Sequence, residues 1–337
     1  MRRSWVDYAK GIGIILVVLG HVNRGLYSSG IYLSDRIYQL MDSVIYTFHM
    51  PLFFFLSGLF FIQSIERRGK PGFLLNKVST LIYPYVIWSL LQGGIEVLLS
   101  HYTNSKTEIG EVLSLLSQPR AQFWFLYALF MVFFVVALCY QKAIFNKYLP
   151  MLLVITLALN LYNDRLTDLL QVGYVAKYTF FFMLGIGFQR IDNYLNRFIN
   201  GAMLCGISIL FIGLQYLFHS VHGKTYMVAG IENVILATMS IMFIICLSAY
   251  LATLNITLLQ RLGELSMMIY LMHILAGSGM RIFLSKILHS SDWWLHLSLG
   301  VSAGILIPTI AAVFLTHRRF NLLFSWPHRQ LSERGSK

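Results

Sequence analysis

DYAKGIGIILVVLGHVNRG, residues Asp7 to Gly25, sets the fold class: it is an aliphatic and glycine run long enough to sit in lipid, with a lysine near its start and a histidine near its end. A bilayer core about 30 Å thick needs about 20 mostly apolar residues per helix. The 337-residue chain is 57% hydrophobic and only 12% charged, with a mean hydropathy of +0.66. A chain that apolar cannot cover a soluble surface of its size. The sequence therefore predicts an all-α polytopic membrane protein.

Ten spans are expected, at roughly 11–28, 43–63, 78–99, 123–141, 148–162, 172–189, 199–218, 227–254, 264–280 and 295–316. They form a single membrane domain over residues 1–337 with no convincing internal repeat. Most of the 26 lysines and arginines fall on one side if the N-terminus is cytoplasmic, so the positive-inside rule and an even span number predict both termini in the cytoplasm. No cleavable signal peptide is expected, because no small-x-small site follows the first apolar run. Pro51 and Pro84 fall inside spans, as is common in membrane bundles.

The net charge of +12 could suit nucleic acid. The basic residues, however, come in short clusters between apolar segments, and no zinc-finger or RNA-motif spacing occurs, so no nucleic-acid partner is expected. Cys139, Cys205 and Cys246 each lie in an apolar run without CxxC spacing and read as packing or lipid-facing residues. GxSxG, HExxH and glycine-rich phosphate loops are missing, so neither a metal nor a permanently bound cofactor is expected. Ser57 and Gly58 form a small-residue pair of the kind that lets helices approach closely.

Polar residues inside the spans carry the functional reading. Lys10 and His21 are about three helical turns apart on one face, with roughly 16 Å between them, and Asp7 falls close to the same stripe. This places His21 near the bilayer midplane and Lys10 at the inner surface. On the second span Asp42, Tyr46 and His49 follow an i, i+4, i+7 spacing, and on the ninth Ser266, Tyr270 and His273 do the same. Ionisable residues at such depth are costly unless they face a cavity or partners. A histidine hydrogen-bonded to a neighbouring helix for packing is the competing reading of any one of them.

A neutral imidazole can take a proton from an alcohol as the alcohol attacks a carbonyl. Basic residues at the inner mouth suit a phosphate-rich donor such as an acyl-CoA thioester. SIERRGKPGFLLNK, Ser64 to Lys77, reads as a loop that brings Arg67, Arg68, Lys70 and Lys77 to that mouth, although an ordinary positive-inside anchor reads the same way. Trp88 and Trp124 could stack on a sugar or serve as interfacial anchors.

At these residues the chain resembles the acyltransferase family 3 integral-membrane proteins, which include glycan O-acetyltransferases of bacterial envelopes. The likeness rests on DYAKGIGIILVVLGH, FHMPLFFFLSGLFF (His49 to Phe61), the basic stretch with LIYPYVIWS (Leu81 to Ser89), FWFLYALF (Phe123 to Phe130) and LGELSMMIYLMH (Leu262 to His273), in that order. It implies transfer of an acetyl or other short acyl group from cytoplasmic acyl-CoA to a hydroxyl of a cell-envelope glycan or lipid-linked sugar, in the bacterial inner membrane.

By that resemblance His21 is the expected catalytic base. Lys10, where many members carry arginine, joins Arg67, Arg68 and Lys70 as donor contacts. Asp7, Asp42, Tyr46, His49, Tyr270 and His273 are then the supporting or acceptor-side residues, including contacts to an oxyanion. Direct base-assisted transfer and a transient acyl-histidine both remain open. The competing classes are a secondary transporter or flippase for a polar or lipid-linked envelope substrate, which also buries ionisable groups, and a membrane scaffold indifferent to His21.

Overall fold

The computed structural model describes residues 4–98, 109–114, 119–166, 171–191, 200–317 and 321–326. Among the described residues the regular elements are all helices. The helices are α1 (Ser4–Ser28), α2 (Asp35–Leu59), α3 (Phe61–Lys77), α4 (Tyr83–Leu98), α5 (Ile109–Leu113), α6 (Trp124–Cys139), α7 (Lys142–Leu161) and α8 (Val172–Phe188). They continue with α9 (Gly201–Tyr216), α10 (Ile231–Thr253), α11 (Thr257–Glu264), α12 (Ser266–Ile282) and α13 (Trp293–His317). Nine described segments are long and apolar enough to cross a membrane. Over the expected sixth span, α8 is shorter, at 17 residues.

The centre of the bundle is α1, packed by α2, α10, α11, α12 and α13. It begins at Ser4, several residues ahead of the start that hydropathy suggests. The reason is tertiary: Trp5, Val6, Asp7, Tyr8 and Ala9 are all buried, and Gly263 of α11 lies so close that a Cβ there would overlap the carbonyl oxygen of Asp7. Those first turns are too polar to register as a span, yet they are walled by protein. His21 consequently sits in the C-terminal half of α1, about 7.5 Å beyond the helix midpoint.

Small residues set the other close crossing. A Cβ on Gly58 of α2 would overlap the carbonyl oxygen of Phe182, and one on Gly185 of α8 would overlap that of Phe55. The two backbones therefore touch through reciprocal glycines, as small-residue packing in membranes allows.

The basic stretch is helical rather than a loop. It forms α3, bent at Gly69 with φ +66° just ahead of Pro71, and continues through a π-helical turn, Val78–Ile82, into α4. Pro84 explains that turn: it has no N–H to give and its ring crowds the carbonyl four residues back, so the helix widens. Helix starts use side-chain caps where the chain leaves a loop: Ser34 accepts from the Ile37 amide at 3.3 Å, and Asn200 from the Met203 amide at 2.9 Å.

Candidate active site

The His21 ring is pinned from inside its own helix, its Nδ1 standing 2.9 Å from the Val17 carbonyl oxygen. A carbonyl only accepts, so Nδ1 carries the proton and Nε2 of the neutral ring carries a lone pair. The same arrangement recurs at His49, whose Nδ1 lies 2.7 Å from the Ile45 oxygen. It recurs again at His273, 2.7 Å from the Tyr270 oxygen. Both of these rings are buried, and among the described residues their Nε2 atoms have no hydrogen-bond partner. A buried polar atom left bare carries a desolvation cost that calls for a reason.

The rings of His21 and His273 lie 5.0 Å apart, centroid to centroid. Both face a cavity of about 140 Å³ whose wall also holds Gly25, Ser278, Arg281 and His296. One turn earlier on the same two helices, a second cavity of about 140 Å³ opens, lined by Ile14, Val17, Ser57, Leu81, Ser266 and Tyr270 among others. The first has the more polar wall and the second is nearly all apolar. The histidine pair lines the first, one helical turn from the second.

Beyond the apolar cavity is a cluster of cations. Lys10 is one turn before Ile14 and stands 3.8 Å from Asp7 Oδ1. Lys77, one turn before Leu81, lies within electrostatic reach of Lys10 and Arg68 and places its Nζ 3.9 Å over the Phe133 ring. Arg67 and Arg68 are exposed on α3, and Arg68 donates to Ser64 Oγ at 2.9 Å. Lys70 has different work: its Nζ donates at 3.1 Å to the Leu138 carbonyl, capping the end of α6.

The remaining expected residues divide between scaffold and site. Asp42 is gripped by Arg24 through two bonds, 2.6 Å from Nε and 3.0 Å from Nη2. The Arg24 guanidinium lies 3.3 Å above the Tyr46 ring and donates at 2.7 Å to the Tyr226 hydroxyl. Tyr46 in turn abuts His49 at 4.5 Å and His21 at 6.2 Å between centroids, a closeness to α1 that the missing side chain of Gly20 permits. His49 lines neither cavity. The Tyr270 hydroxyl is spent on the carbonyl of Gln122.

Trp88 is buried, with Nε1 donating at 2.8 Å to the Leu323 carbonyl, and Trp124 stacks on Tyr174 at 4.5 Å. Neither faces the two cavities beside His21.

Four further residues belong to the site and escaped the sequence reading: Arg24, Tyr226, Arg281 and His296. Arg24 had a readable signal, since it follows His21 by three residues and so shares its side of the helix. Tyr226 had none. It belongs to the connection between α9 and α10, held over the site by a 2.8 Å bond from its backbone N–H to Ser43 Oγ.

A family profile described as "Acyltransferase domain" matches residues 3–313. Among curated proteins, the chain is similar to Nodulation protein NolL of Sinorhizobium fredii, 29% identical over 205 residues, covering 59% of this chain and 52% of that protein. It is also similar to Nodulation protein NolL of Mesorhizobium japonicum, 30% identical over 132 residues, covering 39% of this chain and 34% of that protein. The chain thus spans between a third and about half of the length of these relatives. No solved structure matches it. With a single profile running over nearly all of its length and a bundle of long apolar helices, the chain belongs to the acyltransferase 3 family of integral membrane proteins.

Proposed function

We propose that the protein is an O-acyltransferase of the bacterial plasma membrane that moves an acetyl or other short acyl group from cytoplasmic acyl-CoA to a hydroxyl of a cell-envelope glycan or lipid-linked saccharide. The observation that carries this reading is the position of His21, a ring whose Nε2 carries the lone pair, on the wall of one cavity and one helical turn from a second, nearly all apolar one.

The apolar cavity takes the thioester end of the donor. Its cationic rim, Lys10 with Lys77 and Arg68, takes the donor phosphates. The acceptor hydroxyl comes through the more polar cavity. His21 Nε2 removes its proton as the oxygen attacks the thioester carbonyl, the C–S bond breaks, and the departing thiolate recovers the proton from the imidazolium. A positioned base of this kind contributes about 10²–10⁴-fold in rate.

His273 offers a second acceptor atom beside the first. With Nδ1–H committed to Tyr270, its neutral ring receives a hydrogen bond and does not donate one from Nε2, so it steadies an acceptor hydroxyl rather than an oxyanion. Asp42 acts by holding Arg24 against Tyr46.

The test compares surface glycans by mass spectrometry from cells with the protein, without it, and with His21→Ala. Acyl groups that depend on the protein and vanish with the variant support the reading. Unchanged acylation in His21→Ala cells, or ion-driven uptake of substrate into vesicles without any use of acetyl-CoA, overturns it.

A further inference from the structure

Tyr46, which does not line the cavity at His21, forms part of the wall of a smaller recess of about 20 Å³. Its wall is formed by Tyr46, Asn160, Asn163, Lys177, Tyr226 and Asn233, contributed by α2, α7, α8, α10 and the connections beside them. Asn160 spends one amide N–H on the Lys177 carbonyl, Asn163 one on the Asn160 carbonyl, and Asn233 both of its own on the carbonyls of Tyr226 and Val228 at 2.9 and 3.0 Å.

Asn233 is thereby left with its amide oxygen alone, while Asn160 and Asn163 each keep one amide N–H as well as the oxygen, so the wall offers both donors and acceptors. Tyr46 adds a buried hydroxyl with no partner. Lys177 adds a positive charge that, among the described residues, has no carboxylate within ion-pair distance. The asparagines on this wall are neutral, and Asp42 on the far side of Tyr46 is already held by Arg24.

An ammonium with no carboxylate beside it and only the Tyr178 ring 5.9 Å away, set among asparagine amides, selects for a molecule that offers one negative group. A volume of about 20 Å³ has room for roughly one water-sized group, so a substituent enters it and a sugar ring does not. From the pairing of cation, remaining amide N–H donors and size we infer that this recess is an acceptor subsite for the carboxylate of an acidic sugar, with Lys177 as the residue that recognises it. The inference rests on the acyl-transfer reading for its place in the reaction, since Tyr46 forms one wall of the recess and also abuts His21.

The experiment is binding of glucuronate and of glucose to the full chain in lipid nanodiscs, followed by saturation-transfer NMR, with inorganic phosphate as a competitor. Wild type should prefer glucuronate by on the order of 10-fold, the worth of one charge-assisted hydrogen bond. Lys177→Gln should erase the preference, and Lys177→Arg should restore most of it. Equal binding of the two sugars to wild type, or a preference that survives in Lys177→Gln, overturns the inference. Displacement by phosphate of a glucuronate signal that Lys177→Gln leaves unchanged overturns it as well. Neither acyl-CoA nor His21 enters this measurement, so its failure leaves the acyl-transfer reading standing, and failure of the His21→Ala test leaves the sugar preference measurable.

Discussion

His21 and His273 meet with their rings 5.0 Å apart and inclined at 66°, each on its own helix and each fixed by a bond from Nδ1 to a backbone carbonyl of the preceding turn. Two side chains from opposite ends of the sequence thus present proton-accepting nitrogens at one cavity. Rotation of either ring would break the bond that holds it.

Replacing His21 by glutamine or alanine should therefore lower kcat by about 10²-fold or more, while acetyl-CoA binding and the unfolding temperature of the purified protein stay close to wild type. Acidification should act in the same direction in wild type, because an imidazolium has no lone pair at Nε2 to take the hydroxyl proton. A steady-state assay across pH reads both.

The donor end can be tested separately. Ser57→Leu would push a side chain into the apolar cavity, and Lys10→Ala would thin the charge at its rim. The first should abolish turnover by blocking the thioester. The second should raise the KM for acetyl-CoA several-fold with kcat little changed, more so at low salt, because rim charges are screened.

Arg24 and Asp42 form a partly buried bidentate pair. Arg24→Ala leaves the Asp42 carboxylate without its partner and should cost roughly 2–3 kcal/mol, below the value for a fully buried pair because the arginine side chain keeps about a third of its exposure. Arg24→Ala combined with Asp42→Asn should recover a good part of the loss. Thermal unfolding in detergent or nanodiscs distinguishes the two variants.

At the α2–α8 crossing, Gly58→Ala and Gly185→Ala each place a methyl where a carbonyl oxygen of the other helix already sits. Overpacking against backbone is relieved only by separating the helices, so each variant should lose about 1–3 kcal/mol or fail to accumulate folded. Gly94→Ala, with open space around the same atom, serves as the control.

Much of the fold was legible because lipid imposes length and apolarity on every span, and those two properties are written residue by residue. What hydropathy could not carry was burial by protein. The first turns of α1 contain Asp7 and Lys10, read as flanks, yet α11 covers them. Arg67 to Lys77 read as a charged loop, yet they form a bent helix whose Lys70 closes the end of α6.

In the site, His21, Tyr46, His49 and His273 could be picked out one helix at a time by their spacing. Tyr226 and Lys177 could not, because their relation to His21 runs through Tyr46 on another helix and leaves no periodic trace in the chain. Asp42 is visible as an acid within a span, but its partner Arg24 sits on another helix and no spacing in the chain links the two.

The reciprocal glycines of α2 and α8 bear on how reactants must travel. With two main chains riveted together next to the site, this part of the bundle has no slack for rocking or sliding, so one face of the corridor acts as a fixed wall. Whatever passes His21 has to thread through gaps that side chains open and close.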